Sequence, residues 1–438
     1  MNLHLPTHVG LALTKLLGPD WQSQSGPEQG TQSILLSRDA TSKYSCPQYH
    51  CVSPTTNSFS GATLYRITLA TDQPETAFAL KYSPNLDPNR TSQIHHFQRA
   101  LHWELGPWIS CPIAWSKPLA NLHKHFASPF EDPSNTTLLN TTLLNTTLLN
   151  TILLDPNSGI WELMPWLPGT SIPRVGLASE PQILSLSRRL GQLHRAAQDF
   201  SLHSLTPSPE PKWLVSSWSD PRLCDRLERL QILVKNKFAK QKAQVAAIAA
   251  KAPELDLLKT IEALERCQSI ATQSLLPLQA LEQQVRNAPN QHCSWGHGDA
   301  WRGNWLFETD HVSGLLDFAQ ADYRWQGFDF ARAIGSLLLE SKSTPSMSTP
   351  SMSTPSNSSR QTLVAHAAWN SAWNAYIAEN PSPLFHLEDA LQMHRISTVL
   401  TLCNLLTHCE LDPADSQRLD RLQEILDMVT DFRETPKP

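Results

Sequence analysis

His297–Phe307 reads HGDAWRGNWLF, Ser313–Phe318 reads SGLLDF and Gly327–Phe330 reads GFDF. Three polar groups stand at fixed offsets here: Asp299, Asn304 five residues on, and Asp317 thirteen further. Trp305, Leu306 and Phe307 follow Asn304, and Leu315 and Leu316 precede Asp317, which is how a loop between short buried strands reads. Two carboxylates and an amide carried on such strands converge at one edge. Carboxylate and carbonyl oxygens are what Mg²⁺ takes alongside phosphate oxygens.

His297, Gly298, Asp299 and Asn304 fill an HGDxxxxN loop, Leu316-Asp317-Phe318 follows in an "IDF"-like context, and Asp329-Phe330-Ala331 opens a helix as "DxA". In order and spacing this resembles the aminoglycoside phosphotransferase family, whose loop corresponds to the HRDxxxxN loop of protein kinases. The resemblance implies an α+β, protein-kinase-like two-lobe fold, with a small β-rich N-lobe and a mostly helical C-lobe. It implies ATP and Mg²⁺ as cofactors, Asp299 as the catalytic residue, Asn304 and Asp317 as metal ligands, and a structural role for Asp329. Arg302, inside the loop, has two readings: a partner for a phosphate or an acidic substrate, or a surface arginine. Asp317 is expected to have a buried backbone, with its carboxylate in a low-dielectric cleft.

Upstream, Thr56–Gly61 is a small-residue turn, Ala62–Ala70 alternates as a strand, and Ala77–Tyr82 is a second strand after a hairpin. A turn, a strand, a hairpin and an inward lysine follow the order of a kinase small lobe. Backbone N–H groups at Ser60 and Gly61 can face phosphate oxygens, and Lys81 supplies a point charge. The helix read over 91–105 lacks the glutamate that usually holds this lysine: Glu104 lies late and Gln98 nearer the usual place, so the partner is left open. Ile160–Gly169, IWELMPWLPG, is similar to the family's strand into the hinge, with nucleotide contacts expected from the backbone around Leu163 and Met164.

These readings divide the chain into an N-terminal extension (1–45, with a short helix around Val9–Leu17), a nucleotide-binding lobe (46–165) and a helical lobe (166–438). TTLLN repeats over 134–154 read as an insertion between small-lobe strands, with the last copy as the strand itself. A Ser/Pro-rich STPSM repeat over 341–359 reads as a disordered linker. Residues 181–200 form a helix with Ile183, Leu186, Leu190 and Leu193 on one face; His194 reads as a packing residue. Two long helices over 222–288 form a hairpin insertion, the second kinked or split at Pro277. Three more follow near 361–378, 385–407 and 413–432.

Hydrophobic residues make up 40% of the 438, enough for a large core, and a net charge of −5 without basic runs argues against a nucleic-acid partner. The eight cysteines form no CxxC pair or zinc spacing, so reduced thiols and a cytoplasmic setting are expected. No signal peptide or membrane span is read. The expected activity is phosphoryl transfer from ATP to a hydroxyl of a small molecule. The alternative is a nucleotide-binding pseudokinase or interaction protein on the same fold. Neither the acceptor nor the oligomeric state is legible.

Overall fold

The computed structural model describes residues 21–25, 33–38, 48–52, 63–70, 77–84, 86–113, 153–154, 159–203, 220–237, 257–338, 357–408 and 416–432. The chain divides into two compact units, one ending at Pro168 and the other beginning at Gly169. One is rich in antiparallel strands and the other mainly helical, so the fold is α+β with the two-part organisation expected.

The first unit holds β1 (Trp21–Ser25), β2 (Ser33–Arg38), β3 (Gln48–Val52), β4 (Thr63–Ala70), β5 (Ala77–Pro84), α1 (Pro88–Leu105), β6 (Leu153–Leu154) and β7 (Gly159–Pro165). The strands form one antiparallel sheet in the order β1-β2-β3-β4-β5-β7-β6. It therefore begins earlier than expected, since β1 and β2 fall in the stretch read as an extension; the helix read at Val9–Leu17 lies outside the described residues. In β5 the period-2 pattern buries Phe78 and Leu80 on one face. α1 starts where Asp87 accepts a hydrogen bond from the Asn89 N–H and Pro88 takes the first turn. It stops at Gly106, whose φ of 93° lets its N–H return to the His102 carbonyl. Ile94, Phe97 and Leu101 form its buried stripe. Apart from β6, the TTLLN tract lies outside the described residues.

The second unit holds α2 (Glu180–His203), α3 (Pro221–Ile232), α4 (Leu257–Asn287), β8 (Cys293–Gly296), β9 (Trp305–Glu308), β10 (His311–Leu315), β11 (Asp322–Trp325), α5 (Gly327–Gly335), α6 (Asn357–Glu379), α7 (Leu387–His408) and α8 (Ser416–Asp431). β9 pairs with β10, and β8 with β11, both antiparallel. α2 buries Leu186, Leu190 and Leu193 completely, the face its spacing of three and four dictates. Phe330 of α5 sits among Trp369, Tyr376 and Phe385, at centroid distances of 6.1, 5.1 and 5.7 Å, and ties α5 to α6. α3 is capped by Asp220, which accepts from the N–H groups of Arg222 and Leu223, and it runs on as a π-helical turn to Lys237. α4 passes through Pro277 as one helix and is not split there. The STPSM linker lies outside the described residues. Among them, no helix is long and apolar enough to cross a membrane. Among the described residues, Cys111, Cys267 and Cys293 are free thiols.

Candidate active site

The HGD loop leaves β8 and is fixed from below by one buried carboxylate. Asp329, near the start of α5, accepts hydrogen bonds from the backbone N–H groups of His297 (2.7 Å) and Gly298 (2.8 Å). Burial favours its neutral form, but the neighbouring His194 and the charge of Arg324 win and hold the carboxyl well below the usual range. His194 Nε2 stands 3.6 Å from Asp329 Oδ2, too far for a hydrogen bond and close enough for attraction. Behind it, Asn380 donates to the Tyr376 hydroxyl at 2.9 Å, and that hydroxyl meets His194 Nδ1 at 2.8 Å. A polar chain thus runs from α6 through α2 into the loop. Asp329 has the structural role expected of it, and His194 is a packing residue that also steadies the carboxylate.

Gly298 has a φ of 79°, and a Cβ there would strike the Arg324 side chain and the Gln320 carbonyl. The turn needs glycine. The His297 ring is fully buried. Its Nδ1 accepts from the Asp299 N–H at 3.2 Å and its Nε2 meets the Leu316 carbonyl at 2.7 Å, which requires the neutral Nε2–H tautomer. Burial pushes the imidazole pKa down, consistent with that form.

Asp299 emerges with a quarter of its side chain exposed, and Arg332 Nη2 lies 2.6 Å from its Oδ1. Asn304 Nδ2 donates to the Asp299 carbonyl at 2.7 Å, which turns the amide oxygen the other way. The Leu316 N–H bonds the Asn304 carbonyl at 2.8 Å, continuing the β9–β10 pairing beyond Trp305 and Leu315. This brings Asn304 beside Asp317 at the open end of that hairpin. Asp317 is exposed, not held in a low-dielectric setting as expected, and its backbone is left-handed, with φ 56° and ψ 67°. A non-glycine residue in that region is strained by about 1–3 kcal/mol, a cost that tends to persist at functional positions.

The donor set suits a hard cation. The Asn304 amide oxygen and the Asp317 carboxylate are oxygen donors at one edge, and Mg²⁺ commonly takes one or two such groups and completes its shell with phosphate and water. Among the described residues there is no cluster of three or more His, Cys, Asp or Glu to cage a metal without a phosphate.

Arg302 is not the surface arginine of its second reading. It is buried, and its guanidinium lies 2.7 Å from Glu424 of α8 while bonding the carbonyls of Ser336 and Pro173. It anchors the middle of the loop to α8. Its partner lies 122 residues away, so local spacing carried no signal of it.

In the first unit, Lys81 stands opposite Glu162 and Ala79 opposite Met164 in the β5–β7 register, so Lys81, Glu162 and Met164 share one face of the sheet. Glu162 is buried and meets His95 of α1 at 2.7 Å. Gln98, by contrast, is spent on the Ser110 carbonyl at 3.0 Å. Leu163 points to the opposite face, and its carbonyl accepts from the Ile113 N–H at 2.8 Å. Ser60 and Gly61 lie outside the described residues.

A sequence model described as "Phosphotransferase enzyme family" matches residues 142–347, a little under half of the chain. No curated protein matches by sequence. Among solved structures, an amicoumacin kinase in complex with AMP-PNP, Ca²⁺ and Ami is similar at 11% identity and a TM-score of 0.48, over 98% of this chain and 94% of that one. A spectinomycin phosphotransferase with ADP and spectinomycin is similar at 8% identity and a TM-score of 0.43, over 87% and 92%. A microcompartment-associated aminopropanol kinase is similar at 12% identity and a TM-score of 0.41, over 96% and 95%. The resemblance carried by His297–Asp329 is therefore borne out: residues 142–347 match the phosphotransferase enzyme family.

Proposed function

We propose that this protein is an ATP-dependent phosphotransferase that moves the γ-phosphoryl group to a hydroxyl of a small molecule. The observation that carries the reading is the convergence of Asp299, Asn304 and Asp317 at the open end of the β9–β10 hairpin, on a loop clamped by Asp329.

Asp299 orients the acceptor hydroxyl and takes its proton. The hydroxyl oxygen forms the new bond to the γ-phosphorus, the bond to the bridging oxygen breaks, and ADP leaves with that electron pair. Asn304 and Asp317 hold Mg²⁺, which supplies positive charge to the phosphate oxygens. In the first unit, Lys81 grips the non-transferred phosphates, with Met164 on the same face. Glu162 takes the place of the helix glutamate as the group that orients the lysine, supported by its register position and its fixed contact with His95. Positioning and charge neutralisation supply most of the rate.

The test pairs nucleotide melting curves, with and without Mg²⁺, with ATP consumption over a panel of small alcohols, sugars and aminoglycosides. Mg²⁺-dependent stabilisation by ATP together with acceptor-dependent turnover is expected. Nucleotide binding without turnover on any acceptor would favour the pseudokinase instead.

A further inference from the structure

A cavity of about 70 Å³ opens beside the HGD loop, walled by Gly298 and Trp301 of the loop and by residues of α3, α5, α7 and α8. A volume of about 10–15 Å³ on this measure holds one water, so the cavity suits a compact polar group. Five arginines line it, Arg222, Arg226, Arg302, Arg332 and Arg421, and no aspartate or glutamate does. In a chain of net charge −5 this is a local concentration of positive charge.

The nearby carboxylates do not neutralise it. Glu424 serves two of the five, Arg302 at 2.7 Å and Arg421 at 2.5 Å. Asp299 takes Arg332. Asp225 is paired with Arg229 at 2.8 Å. Asp220 and Asp329 are buried and spent on backbone N–H groups. Arg222 and Arg226 have no ion pair among the described residues. Arg222 donates to the Gly298 carbonyl and the Gln320 amide oxygen. Arg226 donates to the Ser397 hydroxyl at 3.3 Å and lies over the Phe328 ring at 4.4 Å. Spaced four apart on α3, they share a face, where like charges repel. Burial, with neighbouring arginine charges, pushes both guanidinium pKa values down to about 10. An anion would relieve this strain, and a guanidinium fork matches the two oxygens of a carboxylate or phosphate.

The nucleotide is not the natural occupant. Asn304 and Asp317 do not line this cavity, whereas Gly298, which precedes Asp299, does. We propose that the cavity holds an anionic group of the acceptor, so that the substrate is a hydroxyl compound carrying a carboxylate or a phosphate. This rests on the phosphotransferase reading for the word "acceptor", but not for the anion site itself. It also counts against polycationic acceptors, which would meet like charge beside Asp299.

The test uses the full chain and four probes on one three-carbon skeleton: glycerol, glycerate, glycerol 3-phosphate and the cation serinol. Melting curves without nucleotide are compared for wild type, Arg226→Gln and Thr401→Glu, the last placing a carboxylate in the wall. One or both anions should raise the wild-type melting temperature, with glycerate against glycerol 3-phosphate telling the two head groups apart. Arg226→Gln should weaken anion binding about 10–100-fold, the range for losing a charge-assisted hydrogen bond. Thr401→Glu should remove the anion effect while stabilising the free protein, so the test survives even if Arg226→Gln fails to fold. No shift from either anion, an equal shift from glycerol or serinol, or a full shift in Thr401→Glu would overturn the proposal. ATP consumption with the same probes separates the two readings. Anion binding with no turnover on any acceptor sinks the kinase and leaves the site. Turnover confined to glycerol or serinol does the reverse.

Discussion

Arg332 Nη2 lies 2.6 Å from Oδ1 of Asp299, and Arg332 follows Asp329 by three residues on α5. The start of one helix therefore governs the loop twice, through a buried carboxylate that fixes its backbone and a half-exposed guanidinium that fixes its acid. Asp299→Asn keeps the shape and loses the base. Turnover should fall by about 10²–10⁴-fold with nucleotide affinity retained. Arg332→Gln should change stability by less than about 1 kcal/mol, since the pair is open to solvent, yet lower kcat by loosening the acid. Wild-type turnover in Asp299→Asn would remove that residue from the mechanism.

The chain from Asn380 through Tyr376 and His194 to Asp329 is buried throughout. Tyr376→Phe leaves the Asn380 amide and the His194 Nδ1 without their common partner. Each buried group left unpaired costs about 1–3 kcal/mol, so a clear loss of stability is expected in chemical denaturation. His194→Ala should also release the loop and lower turnover, although His194 is not at the reacting atoms. A Tyr376→Phe variant as stable as wild type would show that the chain is idle.

Asp317 combines exposure with a left-handed backbone. Glycine adopts that conformation without strain. Asp317→Gly should therefore hold or raise the melting temperature while Mg²⁺-dependent stabilisation by ATP and turnover are both lost. An Mg²⁺ effect on ATP binding that persists unchanged in this variant would move the metal site elsewhere.

The loop was legible because its chemistry lies in short offsets: Asp299, Asn304 and Asp317 are brought together by one hairpin whose apolar flanks announce it. The helix face of α2 was legible for the same local reason. What could not be read were partnerships made by tertiary packing. Arg302 looked like a surface residue because Glu424, its partner, is on another helix. Arg222 and Arg226 were passed over in the first helix of the hairpin, where Leu223 and Leu230 are buried, since an amphipathic stripe says where the core lies and not what the edge of the stripe will face. Glu162 was hidden in an apolar strand until the β5–β7 register set it against Lys81. The exposure of Asp317 was misjudged because Leu315 buries its side chain and Leu316 does so in part, while the left-handed turn then throws the next residue outward.

His394 gives a pH dependence. The ring is buried between Trp369 and Phe432, at 5.5 Å from each, and lies so close to Gly335 that a Cβ there would collide with it. Burial, and secondarily the charge of Arg395, push its pKa from 6.5 to about 3. The folded protein therefore keeps it neutral while the unfolded chain takes up a proton below about pH 6.5. Its contribution to stability is complete above that pH and is lost progressively as pH falls toward 3. His394→Leu should flatten the decline in melting temperature between pH 6.5 and 4 by the equivalent of up to about one proton. An unchanged slope would place the acid sensitivity in other groups.

Arg302 and Glu424 are both largely buried, and Glu424 also accepts from the Val175 N–H at 2.7 Å. Removing one member of such a pair strands a charge, at a cost of about 3–5 kcal/mol, whereas replacing both by apolar residues of similar size is often near neutral. Glu424→Ala should thus be among the most destabilising single changes in the second unit. The double variant Arg302→Met, Glu424→Leu should recover much of that loss. Turnover should not recover with it, because Arg302 lies between Asp299 and Asn304 and its guanidinium is what ties that segment to α8 and to the carbonyls of Ser336 and Pro173. A third variant, Glu424→Gln, links the pair to the cavity beside it. It removes the carboxylate that Arg302 and Arg421 share while keeping an acceptor for the Val175 N–H, so it should tighten the binding of glycerol 3-phosphate even as it lowers the melting temperature. A double variant with full activity would show that the pair stabilises the fold without positioning the loop.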